Sequence, residues 1–392
     1  MNKPLQSFTQ WIWQYENWTD FVWDEVRLQP KLRECWKLLG QLLGFTQNLN
    51  VVDYQQSSLN MLLNNIISSS AIEGEQLNRQ SVRSSLAKRL GLSLQNPYPT
   101  SDRSEGVSEI MFDALQNWEQ DLDLERLLHW HSCLFPYSEK SLHSVLVGTL
   151  RGDDPMQVVS GRIEQPKVHF EAPPRFGLEQ QLEDFIQWFN QSRHDQILDP
   201  LLRAGICHLW LLTLHPFDDG NGRMTRALTD LALAQADQQT IRLYAVSAAI
   251  LEKRQQYYQM LEQSQKGSSD ITEWLVWFLD LLIFTLVQSL QKINRTLEKT
   301  RFWAAYGALN LSEAQRKVLN RLLDGGKKGF EQGINAGQYQ KVAKVSKATA
   351  TRHLSDLLEK GILTKTESGG RSTRYQIAYP QQTSTDPCIL KI

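Results

Sequence analysis
The chain has 392 residues, 41% of them hydrophobic, and its 42 Lys plus Arg and 43 Asp plus Glu leave a net charge of −1. That length and apolar content suit a soluble, folded protein of two or three domains with real cores. Dispersed Cys35, Cys133, Cys207 and Cys388, with no Cys-x-x-Cys pair, suggest neither a zinc nor a disulfide framework, and no apolar run of about 18 uninterrupted residues or apolar N-terminal signal core stands out, so a cytoplasmic location without a membrane partner is expected.

Residues 1 to about 50 carry Trp11, Trp13, Trp18, Trp23 and Trp36, five of the chain's twelve tryptophans. Docking onto a helical core is the expected role, and a dimer or partner surface is the alternative. From about Ser57 to Ser70, Leu59, Leu62, Leu63 and Ile66 recur at helical intervals, with Gly74 placed to end the helix. Gln76 to about Leu134 reads as two or three more helices joined around Asn96-Pro97-Tyr98-Pro99. On the last of these, His129 and His131 are two apart and point in different directions, which suits core or surface histidines better than a metal pair. Alternation and turn residues between Val145 and Pro174 predict a β-hairpin.

Helices are predicted over Leu178 to Asn190 and Pro200 to Leu214. The stretch Ala204 to Leu214 is almost wholly apolar and too poor in β-branched residues for a strand, so it predicts a fully buried helix with His208 in the core. Then comes His215-Pro216-Phe217-Asp218-Asp219-Gly220-Asn221-Gly222-Arg223-Met224-Thr225-Arg226. Pro216 ends one helix, and Gly220-Asn221-Gly222 opens the next, which runs from Arg223 to Ala236. A loop with two glycines leading into a helix start can aim backbone N–H groups at one anion, and phosphate is the natural guest. Arg223 and Arg226, three apart on one face, offer donor forks for phosphate oxygens. Asp219 is a hard ligand placed for a Mg²⁺ on those phosphates, and His215 is the one nearby group suited to accept a proton at neutral pH.

Beyond the motif, Ser247 to Glu262 reads as one helix and Asp270 to about Ala305 as a long one. From Ser312 to Tyr379 there are 13 Lys plus Arg against 6 Asp plus Glu, a local excess that points to a nucleic-acid-binding module. A helix capped by Ser312, a loop from Lys327 to Gly333, a short helix over Ala336 to Val345, a helix over Lys347 to Lys360 capped by Ser346, and a hairpin around Ser368-Gly369-Gly370 make up its pattern. The tail beyond Pro380 reads as disordered.

The stretch from His215 to Arg226 matches, at all nine specified positions, the signature His-Pro-Phe-x-(Asp/Glu)-Gly-Asn-Gly-Arg-x-x-Arg of the Fic family, whose members mostly transfer AMP from ATP to protein hydroxyls. The resemblance implies that His215 takes the proton from a target Ser, Thr or Tyr hydroxyl and that Asp219 holds Mg²⁺. It implies that Asn221 and the Gly220 and Gly222 amides hold the α-phosphate, that Arg223 holds the β- and γ-phosphates, and that Phe217 points into the core. Ser69-Ser70-Ala71-Ile72-Glu73-Gly74 resembles the family's inhibitory helix, (Ser/Thr)-x-x-x-Glu-(Gly/Asn), in which Glu73 pairs with Arg226 and withdraws it from the ATP γ-phosphate. The hairpin falls where the family carries a flap for target segments, Tyr257 and Tyr258 fall where it lines an adenine pocket, and the Trp-rich start resembles an extension found on one subgroup.

The C-terminal pattern resembles a winged helix-turn-helix, with Lys347, Thr349, Thr351, Arg352 and His353 facing a DNA groove and Lys365, Arg371 and Arg374 on the wing. The expected fold is mainly α: a Fic-type helical bundle with a β-hairpin flap, plus that C-terminal module. The domains are 1–100 (Trp-rich extension and inhibitory helix), 101–307 (catalytic), 308–380 (winged helix) and 381–392 (tail). The expected function is an autoinhibited protein adenylyltransferase using ATP and Mg²⁺, acting on another protein or on itself and able to form a homodimer. Two alternatives stay open: removal of AMP from a modified protein, and a DNA-binding regulator with a nucleotide-sensing domain.

Overall fold
The computed structural model describes residues 10–136, 145–162, 165–238, 242–325, 330, 332–366 and 373–379. It contains fourteen α-helices and two small antiparallel hairpins among these residues, and it divides into two compact units, one built from residues 1–44 and 50–289 and the other from 45–49 and 290–392.

The first unit opens with a 3₁₀ turn, Ile12–Gln14, followed by α1 (Glu25–Thr46), α2 (Val51–Ile72), α3 (Arg79–Arg89), α4 (Asp102–Gln116) and α5 (Leu124–Leu134). Side-chain caps at Asn50, Asn78, Ser101 and Asp123 start α2 to α5 by accepting from first-turn N–H groups. Helix α2 begins six residues earlier than the periodicity predicts, at the Asn50 cap, and Gly74 just past its end has φ +81°. Strands β1 (Gln157–Arg162) and β2 (Gln165–Glu171) pair antiparallel with a bulge at Val158/Val159, so the predicted hairpin is present.

Helices α6 (Leu178–Ser192), α7 (Pro200–Leu214) and α8 (Asn221–Asp237) complete the centre. Every residue from Leu201 to Leu214 is buried, as the apolar run predicts. The helix predicted over Ser247 to Glu262 is in fact two, α9 (Val246–Glu252) and α10 (Arg254–Gln265), broken at Lys253, whose backbone leaves the helical region. No proline or glycine marks that break, so the apolar periodicity runs straight across it.

Aromatic side chains tie the N-terminal segment to this unit. Trp11 stands edge-on to Phe170 of β2 at 5.5 Å, Trp13 Nε1 donates to the Glu171 carbonyl at 2.7 Å, and Trp18 packs edge-on to Trp210 at 6.1 Å. The docking role expected of the tryptophans is therefore the observed one for these three. A buried polar node holds α2 against α8 and α9: Asn65 Nδ2 donates to Asp230 Oδ2 at 2.7 Å while Asn65 Oδ1 accepts from the Ser247 N–H at 3.0 Å.

Helix α11 (Thr272–Tyr306) supplies residues to both units, the division falling between Ser289 and Leu290. Among the described residues it is the one helix long and apolar enough to cross a membrane, yet Trp274, Leu275, Phe278, Leu279 and Leu282 are spent in the core.

The second unit holds α12 (Glu313–Leu323), α13 (Ala336–Ala343), α14 (Lys347–Glu359), β3 (Leu363–Lys365) and β4 (Tyr375–Ile377). Ser312 and Gln315 form a capping box on α12, and Ser346 caps α14 by accepting from the Thr349 N–H. Its core is Phe302, Val318, Leu319, Tyr339, Ala350, Leu354, Leu357 and Ile362. The predicted turn with Arg371, part of the loop from Lys327, and the C-terminal tail with Cys388 lie outside the described residues.

Candidate active site
The loop between α7 and α8 is built around a residue in an uncommon conformation. His215 closes α7 with φ 49° and ψ 58°, the left-handed region in which a non-glycine side chain is disfavoured. Arg151 holds it there: its Nε donates to the His215 carbonyl at 2.9 Å, its backbone N–H to the Pro216 carbonyl at 2.9 Å, and its Nη2 to the Pro173 carbonyl at 2.6 Å. The same guanidinium thus fastens the loop to the chain leaving β2.

The His215 ring is oriented by Leu212. Nδ1 lies 3.1 Å from the Leu212 carbonyl, and because a carbonyl only accepts, Nδ1 carries the proton and Nε2 presents a lone pair. Burial pushes this imidazole down to about 4, helped by Arg151 and opposed by the Leu212 carbonyl. A neutral ring with a free Nε2 is a proton acceptor at neutral pH.

Phe217 is fully buried and stacks on His131 at 4.2 Å with 9° between the rings. Asn221 closes the loop in a five-residue ring, its Oδ1 accepting from the Phe217 N–H at 2.9 Å and its Nδ2 donating to the Phe217 carbonyl at 2.7 Å. Its side chain is therefore committed to shaping the loop, which leaves its backbone N–H for a ligand. Gly220 precedes α8 with φ +84°, and the N–H groups of Asn221, Gly222 and Arg223 open the helix, where no intrahelical acceptor exists. Together with the positive helix end they form an anion cradle.

Two arginines of α8 flank the cradle, and both are engaged by acids from the end of α2. Arg226, 2% exposed, takes Glu73 Oε1 as an ion partner at 2.8 Å and donates from Nε to Ser69 Oγ and from Nη2 to the Ser69 carbonyl, each at 2.9 Å. The Glu73 carboxylate lies against the cradle itself: a Cβ on Gly222 would stand 2.2 Å from Glu73 Oε1. Arg223 Nη1 meets Glu75 Oε2 at 2.8 Å, its Nη2 lies 3.4 Å from Asp219 Oδ1, and its guanidinium covers the Phe135 ring at 5.1 Å. Asp219 is 59% exposed at its side chain and uses Oδ1 for the Gly220 N–H and Arg223. An exposed carboxylate beside the cradle is a hard oxygen ligand of the kind that would hold Mg²⁺.

Tyr257 and Tyr258 separate. Tyr257, 1% exposed, donates to His208 Nε2 at 2.9 Å; His208 Nδ1 donates in turn to Thr229 Oγ1 at 2.9 Å, and Thr229 to the Thr225 carbonyl. Burial pushes His208 down to about 3, in keeping with a neutral core ring. Tyr258 is partly exposed and donates to the Ile72 carbonyl at 3.2 Å, beside Glu73.

Three residues escaped the sequence reading. His131, expected only as a core or surface histidine, accepts at Nδ1 from the Gly148 N–H and therefore donates from Nε2 to the Asp219 carbonyl, 3.1 Å away, fixing the loop that bears the candidate metal ligand. Glu75 bridges Arg223 and Arg103, whose Nε lies 2.5 Å from Glu75 Oε1. Arg151 carried no signal beyond a turn. Each has a partner 64 or more residues away in the chain, where periodicity and motif spacing are silent.

Residues 121–233 match the family model described as Fic/DOC family. The chain carries a Fic domain. Residues 11–92 match a second model, described as a domain of unknown function, DUF4172, so the segment that delivers Glu73 lies in a region distinct from the Fic match. Protein adenylyltransferase fic-1 of Caenorhabditis elegans is 32% identical over 118 residues, covering 29% of this chain and 21% of that protein. Protein adenylyltransferase Fic of Drosophila melanogaster is 31% identical over 146 residues, covering 37% of this chain and 27% of that protein. The chain thus spans about a quarter of the length of these relatives. Among solved structures, a Fic domain containing signaling protein from Bacteroides thetaiotaomicron aligns with a TM-score of 0.50 at 18% identity, covering 67% of this chain and 97% of that one, a likeness of fold.

Proposed function
We propose that the Fic domain transfers AMP from ATP to a protein hydroxyl, and that Glu73 holds it in an off state. The observation that carries the second half is the seat of the Glu73 carboxylate, 2.8 Å from Arg226 and against Gly222, where the cradle would take phosphate oxygens. The first half is supported by the loop chemistry and by the name adenylyltransferase borne by the relatives.

In this reading His215 Nε2 takes the proton of a Ser, Thr or Tyr hydroxyl as its oxygen attacks the α-phosphorus, and the bond to the β-phosphate oxygen breaks to release pyrophosphate. The Gly222 and neighbouring amides at the start of α8 hold the α-phosphate, and Arg223 and Arg226, once free of their acids, hold the β- and γ-oxygens. Asp219 would hold Mg²⁺, which neutralises phosphate charge when bound. Tyr258, the exposed member of its pair, would meet the adenine. The edge of β1, whose residues are exposed throughout, would align the target segment by strand addition.

The test is label transfer from α-labelled ATP with Mg²⁺ by the wild type, Glu73→Gly and Glu73→Gly/His215→Ala. Label should appear with Glu73→Gly and vanish in the double variant; equal label in wild type and Glu73→Gly would remove the inhibitory role. An AMP-modified protein offered to the same set tests the reverse reaction, for which Glu73→Gly would lose activity instead of gaining it.

The second unit invites a separate reading as a winged helix that binds DNA. Lys347, Thr351 and Arg352 are exposed on α14, and Lys365 is exposed on β3. His353 departs from the expected groove-facing set, because its Nδ1 lies 3.0 Å from the Tyr339 hydroxyl. Binding of the full chain to duplex DNA that weakens steeply with salt, and that Arg352→Ala reduces, would support this reading; salt-insensitive or absent binding would sink it.

A further inference from the structure
Away from the loop, the outer side of α5 gathers three side chains that neither the proposed reaction nor its inhibition uses. His129 and Cys133 are four apart on α5 and so share a face, and Glu109 reaches them from α4. His129 Nε2 is 2.8 Å from Glu109 Oε1 and 3.6 Å from Cys133 Sγ, and the three ligand atoms all lie within 4.8 Å of one another. From this geometry we infer that Glu109, His129 and Cys133 form a site for a borderline-soft divalent cation of the zinc class, with a fourth position open to water.

The scaffold under the cluster is rigid. Gly106, one turn before Glu109, lies so close to α5 that a Cβ there would stand 2.0 Å from the Cys133 carbonyl oxygen. The two helices therefore meet backbone to backbone at the level of the cluster. A second support comes from Arg89, whose Nη2 lies 3.4 Å from Glu109 Oε2 and 3.4 Å from Glu105 Oε2. It holds one Glu109 oxygen and turns the other towards His129, the way an outer partner orients a ligating carboxylate.

The distances suit tetrahedral coordination. With Zn–S near 2.3 Å and Zn–N near 2.0 Å, a tetrahedral S···N edge is about 3.5 Å, close to the 3.6 Å between Cys133 and His129. The N···O edge should be about 3.4 Å, so the Glu109 carboxylate, now hydrogen-bonded to the imidazole at 2.8 Å, needs to withdraw by only a fraction of an ångström. Thiolate and imidazole together favour zinc, cobalt, nickel or copper over magnesium or calcium. On binding, the Cys133 thiol gives its proton to solvent and the imidazole binds through its neutral Nε2.

The cluster is separate from the site at Asp219. His131, between its two α5 ligands, is buried and turned to the Asp219 carbonyl, whereas the His129 side chain is more than half exposed and open to an entering ion. The sequence reading weighed His129 only with His131, two apart, and set that pair aside; the residue that shares its face is Cys133, four apart.

The experiment is a titration of the metal-free full chain with Co²⁺, followed by Zn²⁺. The wild type should develop a thiolate-to-cobalt charge-transfer band with the strong visible absorption of four-coordinate cobalt, saturating at one equivalent and erased by one equivalent of Zn²⁺. Cys133→Ser should abolish the charge-transfer band and His129→Ala the stoichiometric uptake, and Zn²⁺ should raise the melting temperature of the wild type alone. Both variants alter partly exposed side chains, and their unliganded melts report folding. A band that persists in Cys133→Ser, or wild-type binding no tighter than that of both variants, would mean an adventitious ion only and would overturn the assignment.

Discussion

Burial displaces the His215 and His208 imidazoles to about 4 and about 3, both far below their ordinary 6.5. In the proposed reaction this would keep His215 unprotonated, and able to act as base, well into the acid range. The pH–rate profile of Glu73→Gly should therefore stay level from pH 8 down to about 5.5, with no limb near 6.5; a limb there would mean that the ring titrates as in water. For stability, the sign is the same for both rings. The unfolded chain takes up these protons first as pH falls below 6.5, so stability is full above that value and is lost on the way towards 4. Asp237, pushed up to about 6 by burial, works in the opposite direction. The two imidazoles are together displaced by about 6 pH units against about 2 for Asp237, so the loss prevails. Unfolding free energies from urea titrations at pH 7.5 and pH 5 should differ by on the order of 3 kcal/mol, with the acidic sample the weaker.

Helix α2 is the element whose placement decides the state of Arg226. Its last turn delivers Ser69 and Glu73 together, because residues four apart share a face, and its middle is pinned by Asn65 to Asp230 of α8 and to the N–H of Ser247 on α9. Asn65→Ala leaves a buried carboxylate oxygen and a buried N–H each one partner short, at a cost of about 1–3 kcal/mol. The melt should fall accordingly, and basal transfer by the otherwise unaltered chain should rise as the end of α2 loosens; a lower melt with unchanged transfer would place the inhibitory register elsewhere. Helix α2 also marks how far the sequence could be read. Its apolar spacing, the Ser69 and Glu73 positions and the loop from His215 to Arg226 were legible because each is a local pattern. The Asn65 node, the Arg151 brace and the break at Lys253 were not, since a polar residue paired across the interior looks like any surface residue until its partner is placed.

At the scale of the whole chain, two units with separate cores invite separate unfolding. Leu354 is 1% exposed in the second core, and Leu354→Ala should cost that unit about 2–5 kcal/mol. Calorimetry should show one transition moved down and the other in place, while label transfer by a Glu73→Gly background at 25 °C keeps its rate. A single shifted transition, or lost transfer, would instead mean that the units stand or fall together.

The Glu73–Arg226 pair joins two parts of one polypeptide, so its occupancy is set by geometry and not by how much protein is present. Dilution leaves it closed, and no freely diffusing molecule has to be cleared away to open it. In the proposed off state the carboxylate would meet arriving nucleotide as a permanent resident with an effective concentration of its own, and release would require work on the helix that carries it.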